Sequence, residues 1–226
     1  MRLIYAKYEI EIQLRENEVY TLVLEQPAAF IDFLRNLMAQ IDGMEGELIL
    51  SEGDQQLSFA KNAVLISNPL MVDSNEKRVL TRLYKELDQN VKNLMYEKYS
   101  MVSSELLQFM EDMTATMPYQ LSTETDLNIM ALLKAYDVKI AVEGNDPLER
   151  LIDYLRALSS ICGIRVFVIL NLKHFFTADQ VAQLYEFCFY SKIFLINLEG
   201  QKNYILPEEK CVIIDKDLCF ITSEYR

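Results

Sequence analysis

The sequence predicts an α/β protein, a mostly parallel sheet forming a head that is interrupted by an inserted all-helical leg. Three observations predict it. From residue 137 onward, short β-rich runs alternate with amphipathic helical stretches, the order that builds a parallel sheet from βα units. Residues 165–171 and 193–198 are almost wholly apolar, as strands covered on both faces must be. Residues 74–136 hold one proline, Pro118, and no glycine, and their apolar residues recur at helical spacing. The head is therefore expected to be discontinuous, 1–72 plus 137–226, with the leg at 73–136.

The first 72 residues read as short strands around one helix. Residues 19–24, Val-Tyr-Thr-Leu-Val-Leu, are β-formers. Pro27 opens a helix, where its missing N–H costs nothing, and Phe30, Leu34, Leu37, Met38 and Ile41 form its apolar stripe. Residues 47–50 and 63–66 are two further strands, with Pro69 marking a break after the second. Gly43 and Gly46 read as a surface turn. In the leg, helices are expected at about 74–98, 101–117 and 123–136; the first would be ~37 Å long at 1.5 Å per residue.

After the leg, residues 138–142 read as a strand. Asp146, Pro147 and Glu149 suit N-cap, N1 and N3 of a helix, with Leu151, Ile152, Leu155 and Leu158 buried. Thr177 and Gln180 form a capping box for a helix over 178–189, with Val181, Leu184 and Cys188 facing inward. Residues 211–214 and 218–221 are the final strands.

The chain has 226 residues, 22 Lys+Arg and 34 Asp+Glu, and a net charge of −12. A surface that is cationic everywhere is excluded; a local basic face is not, because phosphate binding depends on where the charge sits. No apolar run reaches the length of a membrane-spanning helix, and the first residues turn polar too soon for a signal peptide, so a cytoplasmic protein is expected. The cysteines Cys162, Cys188, Cys211 and Cys219 contain no C-x-x-C pair and read as reduced, mostly buried thiols. Neither glycine-rich phosphate-binding signature occurs. A Ser-His-Asp or Cys-His pair would have to use the single histidine, His174, for which a structural role is the default.

The informative element is the first leg helix. At 100° per residue from Leu80, residues Leu83, Tyr84, Leu87, Val91, Leu94 and Met95 lie within about 60° of it, whereas Arg78, Arg82, Lys85 and Lys92 lie between roughly 120° and 200°. Four cations on one line span ~21 Å, a spacing that could track phosphates along a duplex carrying a charge every ~1.7 Å. The same pattern also describes the solvated face of any amphipathic helix, and both readings stand.

Glu105, Glu111, Asp112, Glu124 and Asp126 surround the turn between the second and third leg helices. Carboxylates suit Ca²⁺ or Mg²⁺, although the spacing matches no EF-hand. Thr123 with Glu124 and Asp126 reads equally as a helix N-cap with first-turn acids. Phe109, Met110, Met113 and Met117 form a core or an oligomer seam, their helical spacing favouring an intramolecular core.

Several blocks resemble the ring-forming, double-stranded-DNA-binding accessory family of type II-A CRISPR spacer acquisition. They are Thr21–Glu25; Leu65-Ile66-Ser67 leading through Val72-Asp73-Ser74-Asn75; Leu132–Ile140; Val166–Asn171 with Phe176-Thr177; and Ile193–Glu199. Their order and spacing hold over about residues 19–221. The resemblance implies a head like a degenerate nucleotide-binding fold, a helical leg, and a homotetramer with a basic central hole that holds linear duplex DNA without catalysis. It implies Ca²⁺ that orders the leg, and action beside the CRISPR integrase pair and the type II effector nuclease. Lys134 and Lys139 match basic positions of the family's Leu-Leu-Lys-Ala-type block and are carried over as hole-lining residues. Asp126 matches an acidic position before that block, with Glu124 close to it; Glu111 and Asp112 complete the candidate metal set. Here the chain departs from the family, whose stretch is denser in acids than Met117-Pro118-Tyr119-Gln120-Leu121.

Three functions are thus open. The first is a noncatalytic, sequence-independent DNA-binding ring. The second is a metal-dependent nuclease or phosphatase using the leg carboxylates, which would need acids converging on a metal. The third is a protein-interaction scaffold.

Overall fold

In a computed structural model of the chain, residues 1–142, 144–207 and 209–223 are described. They divide into two compact units, Met1–Ser74 with Val142–Arg226, and Asn75–Ala141.

The first unit is α/β. Its strands and helices are, in order, β1 (Arg2–Tyr5), β2 (Ile10–Gln13), β3 (Val19–Leu24), α1 (Pro27–Ile41), β4 (Ile49–Glu52), β5 (Gln55–Leu57), α2 (Phe59–Asn62) and β6 (Ala63–Ile66). After the leg, which carries α3 to α5, the order resumes with α6 (Pro147–Cys162), β7 (Val166–Leu170), α7 (Ala178–Tyr190), β8 (Phe194–Glu199), β9 (Glu209–Ile214) and β10 (Phe220–Ser223). The six-stranded sheet runs β10-β9-β3-β8-β7-β6. All its pairs are parallel except β10 with β9. A separate four-stranded antiparallel sheet runs β2-β1-β4-β5.

Side chains alternate across a strand, and the large sheet uses both faces. Tyr20, Leu22, Val166, Val168, Ile196, Leu198, Val212 and Ile214 join Phe33 and Leu37 of α1 and the inner face of the small sheet in one core. On the other face Tyr185 of α7 reaches Asn197 of β8, and α6 lies alongside α7, with the Arg156 guanidinium 5.4 Å from the Phe187 ring centre. The expected caps are in place. The Asp146 side chain accepts from the Glu149 amide, and Thr177 with Gln180 closes a reciprocal capping box.

The small sheet is where the structure adds to the sequence reading, which finds only the run near 47–50. Residues 138–142 are not a strand. At Ile140 the backbone partner is a side chain: Asn75 Nδ2 donates to the Ile140 carbonyl (3.0 Å) and Asn75 Oδ1 accepts from the Ile140 amide (2.8 Å). A β-rich run whose backbone groups are met in this way has no need of a sheet edge. The last strand, β10, begins at Phe220, slightly later than the expected 218.

The leg unit contains α3 (Lys77–Leu94), α4 (Tyr96–Thr114) and α5 (Ile129–Ala135). Met95, at φ −131° and ψ 28°, separates α3 from α4, so the first helix is shorter than expected, ~27 Å at 1.5 Å per residue. The third helix starts at 129, not 123: Asn128 is the N-cap, its side chain accepting from the Ala131 amide at 2.9 Å. Thr123, Glu124 and Asp126 therefore precede the helix and do not cap it. An intramolecular core on α4 also fails to form. No α4 residue is buried, and Phe109, Met113 and Met117 are 61%, 46% and 52% exposed.

Candidate nucleic-acid interface

The cations of α3 are positioned by what the opposite face buries. Val79 and Tyr84 are buried, and Leu80, Leu83, Leu87 and Val91 half-buried. The Tyr84 hydroxyl donates to the Val138 carbonyl at 2.7 Å, and the Asn75 clamp on Ile140 lies just before the helix. These contacts fix the rotation of α3 within the leg. The buried arc is centred somewhat toward Val79, a residue the sequence stripe does not include, and the basic line still points away from it.

The six candidate DNA-binding residues fall into different environments. Arg82 and Lys85 on α3 and Lys134 in the last turn of α5 are exposed and have no ion-pair partner among the described residues. Lys92 Nζ lies 2.8 Å from Asp88 Oδ2, and this hydrogen bond holds the ammonium pKa above its ordinary value. Lys139 Nζ lies 2.7 Å from Asp137 Oδ2. Arg78 is half-buried. A phosphate meeting Lys92 or Lys139 would have to displace a carboxylate, and one meeting Arg82, Lys85 or Lys134 would not.

Glu111, Asp112, Glu124 and Asp126 are all exposed. The first two end α4 and the others lie in the loop before α5. Among the described residues no group of three or more His, Cys, Asp or Glu is gathered so as to hold a metal ion. An oxygen-ligated Ca²⁺ takes about 6–8 ligands, and the four carboxylates as placed do not supply such a set.

A buried polar network in the head has no counterpart in the sequence reading. Lys173 Nζ donates to Glu209 Oε1 at 2.5 Å and to the Tyr204 carbonyl at 2.6 Å. Glu209 also accepts from the hydroxyls of Thr21 and Tyr185. Next to it, buried Glu199 accepts from the Lys173 amide and Asn203, and lies 3.6 Å from His174 Nδ1. Burial raises the Glu199 pKa. His174 is thus placed beside a carboxylate in a structural network, with its ring 46% exposed. Burial also pushes the Cys188 thiol up to about 12.

A six-stranded, mostly parallel sheet in a chain that also carries a helical leg is the architecture that the resemblance implies. The family model described as CRISPR-associated protein (Cas_Csn2) matches residues 40–218. The chain belongs to this type II-A CRISPR-associated family, and its role is CRISPR-associated. No curated protein matches it.

Proposed function

We propose that the protein is a noncatalytic, sequence-independent binder of linear double-stranded DNA that works as a homotetrameric ring in spacer acquisition. Its partners in this reading are the duplex, further copies of itself, the CRISPR integrase pair and the type II effector nuclease. The observation that carries the reading is the exposed set Arg82, Lys85 and Lys134, without ion-pair partners among the described residues, in a chain of net charge −12. Cations collected in one place on an anionic molecule direct a polyanion there and repel it elsewhere. Membership of the family supports the setting. No step of the reading runs through Ca²⁺. The alternative, a metal-dependent nuclease or phosphatase using the leg carboxylates, differs from this reading in requiring cleavage of the duplex.

The test compares binding of linear and closed-circular duplex of equal length, with the mass of the oligomer measured in parallel. A threading ring binds the linear form at least roughly tenfold more tightly and sediments as four copies. Equal affinity for both forms, or a monomer at working concentration, overturns the ring. Cleavage of linear DNA with Mg²⁺ or Mn²⁺ overturns the noncatalytic reading.

A further inference from the structure

Helix α4 is the least satisfied element of the leg. A soluble amphipathic helix buries its apolar stripe; α4 has one, of which Tyr99 and Met110 are half-buried and none is fully buried. Taking Leu106 as zero at 100° per residue, Val102, Tyr99, Phe109, Met110 and Met113 fall within about 60°. Leu106, Met110 and the neighbouring Leu107 line a concavity of about 490 Å³ whose other wall is the 122–128 loop and α5, through Leu127 and Leu132. On α4 the lining residues are Ser103, Leu106, Leu107 and Met110, the i, i+3, i+4, i+7 set that one helix presents to another.

The rim has one sign. Glu124 and Asp126 line the opening themselves. On α4, Glu111 lies about 90° from the centre of the lining set Ser103, Leu106, Leu107 and Met110, whereas Glu105 lies about 150° from it, on the far side of the helix. Across residues 96–128 the acids are Glu97, Glu105, Glu111, Asp112, Glu124 and Asp126, against a single base, Lys98. Asp126 also feels the charge of Lys92, which offsets part of the field at that corner.

We propose that this acid-rimmed groove of the leg receives a basic amphipathic helix from a partner protein. Its apolar face packs on Leu106, Leu107, Met110 and Leu132, and its Lys or Arg side chains meet Glu111, Glu124 and Asp126. A helix fits because the floor is a helix face and α5 supplies a second wall, so the guest completes a three-helix packing. A basic guest fits because the rim would repel an acidic one. The basic amphipathic helix of this chain, α3, already packs its apolar face within its own leg through Val79 and Tyr84, so a second copy is disfavoured as occupant. Methionine and leucine floors adapt to guests of different sequence.

The experiment uses the full-length protein and three fluorescein-labelled designed helices of about 14 residues, roughly 21 Å at the helical rise. One has Leu on one face and Lys on the other; one has Glu in place of Lys; one is the Leu/Lys composition scrambled out of helical period. Anisotropy is read at low and moderate salt, with 13C-methyl spectra of Met110 and Met113 to locate the contact. The Leu/Lys helix is expected to bind at least roughly tenfold more tightly than the other two and to shift both methionine signals. Reversal of the rim (Glu111→Lys, Glu124→Lys, Asp126→Lys) and, separately, Leu106→Ser should each weaken it at least roughly tenfold. Reversing Glu9, Glu45 and Asp54, exposed acids of the head, should change it less than about twofold. Scrambled and patterned peptides binding alike, or rim reversal without effect, overturns the proposal. So does a self-association that Leu106→Ser abolishes while the peptide never binds, which assigns the groove to a second copy. Duplex affinity, measured on the same variants, is expected to stay within about twofold or to rise, so failure here is distinguishable from failure of the DNA reading.

Discussion

The ammonium of Lys173 lies 2.5 Å from a carboxylate oxygen of Glu209, and the two side chains are 1% and 0% exposed. Glu209 opens β9, Lys173 follows β7, and the Thr21 and Tyr185 hydroxyls that share Glu209 come from β3 and α7. The pair therefore ties together three strands of the large sheet and one helix. Breaking a buried pair from one side strands the other charge, at about 3–5 kcal/mol. Lys173→Met is expected to lower the unfolding free energy in urea by that much, and Lys173→Met with Glu209→Gln to recover part of it. A single variant as stable as the parent would show that the pair is not closed to water.

Glu199 has the opposite dependence from a surface salt bridge. Burial is the largest influence and raises its pKa, opposed by the Lys173 amide, the charges of His174 and Lys173, and Asn203. A carboxyl whose folded pKa is raised contributes stability that is complete below the unfolded value of ~4.3 and is lost as pH rises through the folded value. Glu199→Gln cannot ionise. It should melt higher than the parent at about pH 8, and the gain should vanish toward about pH 4. Thermal melts at the two pH values decide; a gain that grows on acidification contradicts the sign.

Strong local signals survive folding and weak or shared ones do not. The box of Thr177 with Gln180 and the apolar runs of β7 and β8 are legible because each is sufficient by itself. The Ile10–Ile12 alternation of β2, buried-exposed along its length, is a period-two signal of only 4 residues, too short to stand out. Residues 138–142 mislead because β-propensity measures fit to a half-buried surface, and here Asn75 supplies the backbone partners that a neighbouring strand would have. The basic line of α3 is legible from periodicity. That Lys92 and Lys139 are matched by Asp88 and Asp137 is not, since pairing at i and i+4 or across a turn depends on rotamers. The Lys173–Glu209 pair joins residues 36 apart and leaves no local mark.

Asn75 is a positioning residue for the leg. Asn75→Ala removes both hydrogen bonds to Ile140, each worth about 0.5–1.5 kcal/mol. Amide exchange at Ile140 should quicken by roughly tenfold or more, while amides in β7 and β8 keep their rates. Unchanged protection at Ile140 would mean that the clamp is not formed in solution.

Chelation offers a direct check on the carboxylates. With Glu111, Asp112, Glu124 and Asp126 not gathered into a binding set among the described residues, excess EDTA is expected to leave duplex affinity and the melting temperature unchanged. A rise of several degrees on adding millimolar Ca²⁺ would show that the leg rearranges to collect these acids.

The cations should not contribute equally to duplex binding. Every phosphate that the protein no longer neutralises takes about 0.9 off the slope of log affinity against log salt. Arg82→Glu, Lys85→Glu and Lys134→Glu remove exposed charges that are open to phosphate, and each should weaken binding to all sequences alike and flatten the salt dependence. Lys92 already holds Asp88 at 2.8 Å and Lys139 holds Asp137 at 2.7 Å, so part of what a phosphate would gain is offset by the ion pair it must open. Lys92→Gln should therefore cost less than Lys85→Gln, while Asp88→Asn, which frees Lys92, should tighten binding and steepen the slope. If Lys92→Gln costs as much as Lys85→Gln, the pairing does not govern which cations the duplex uses.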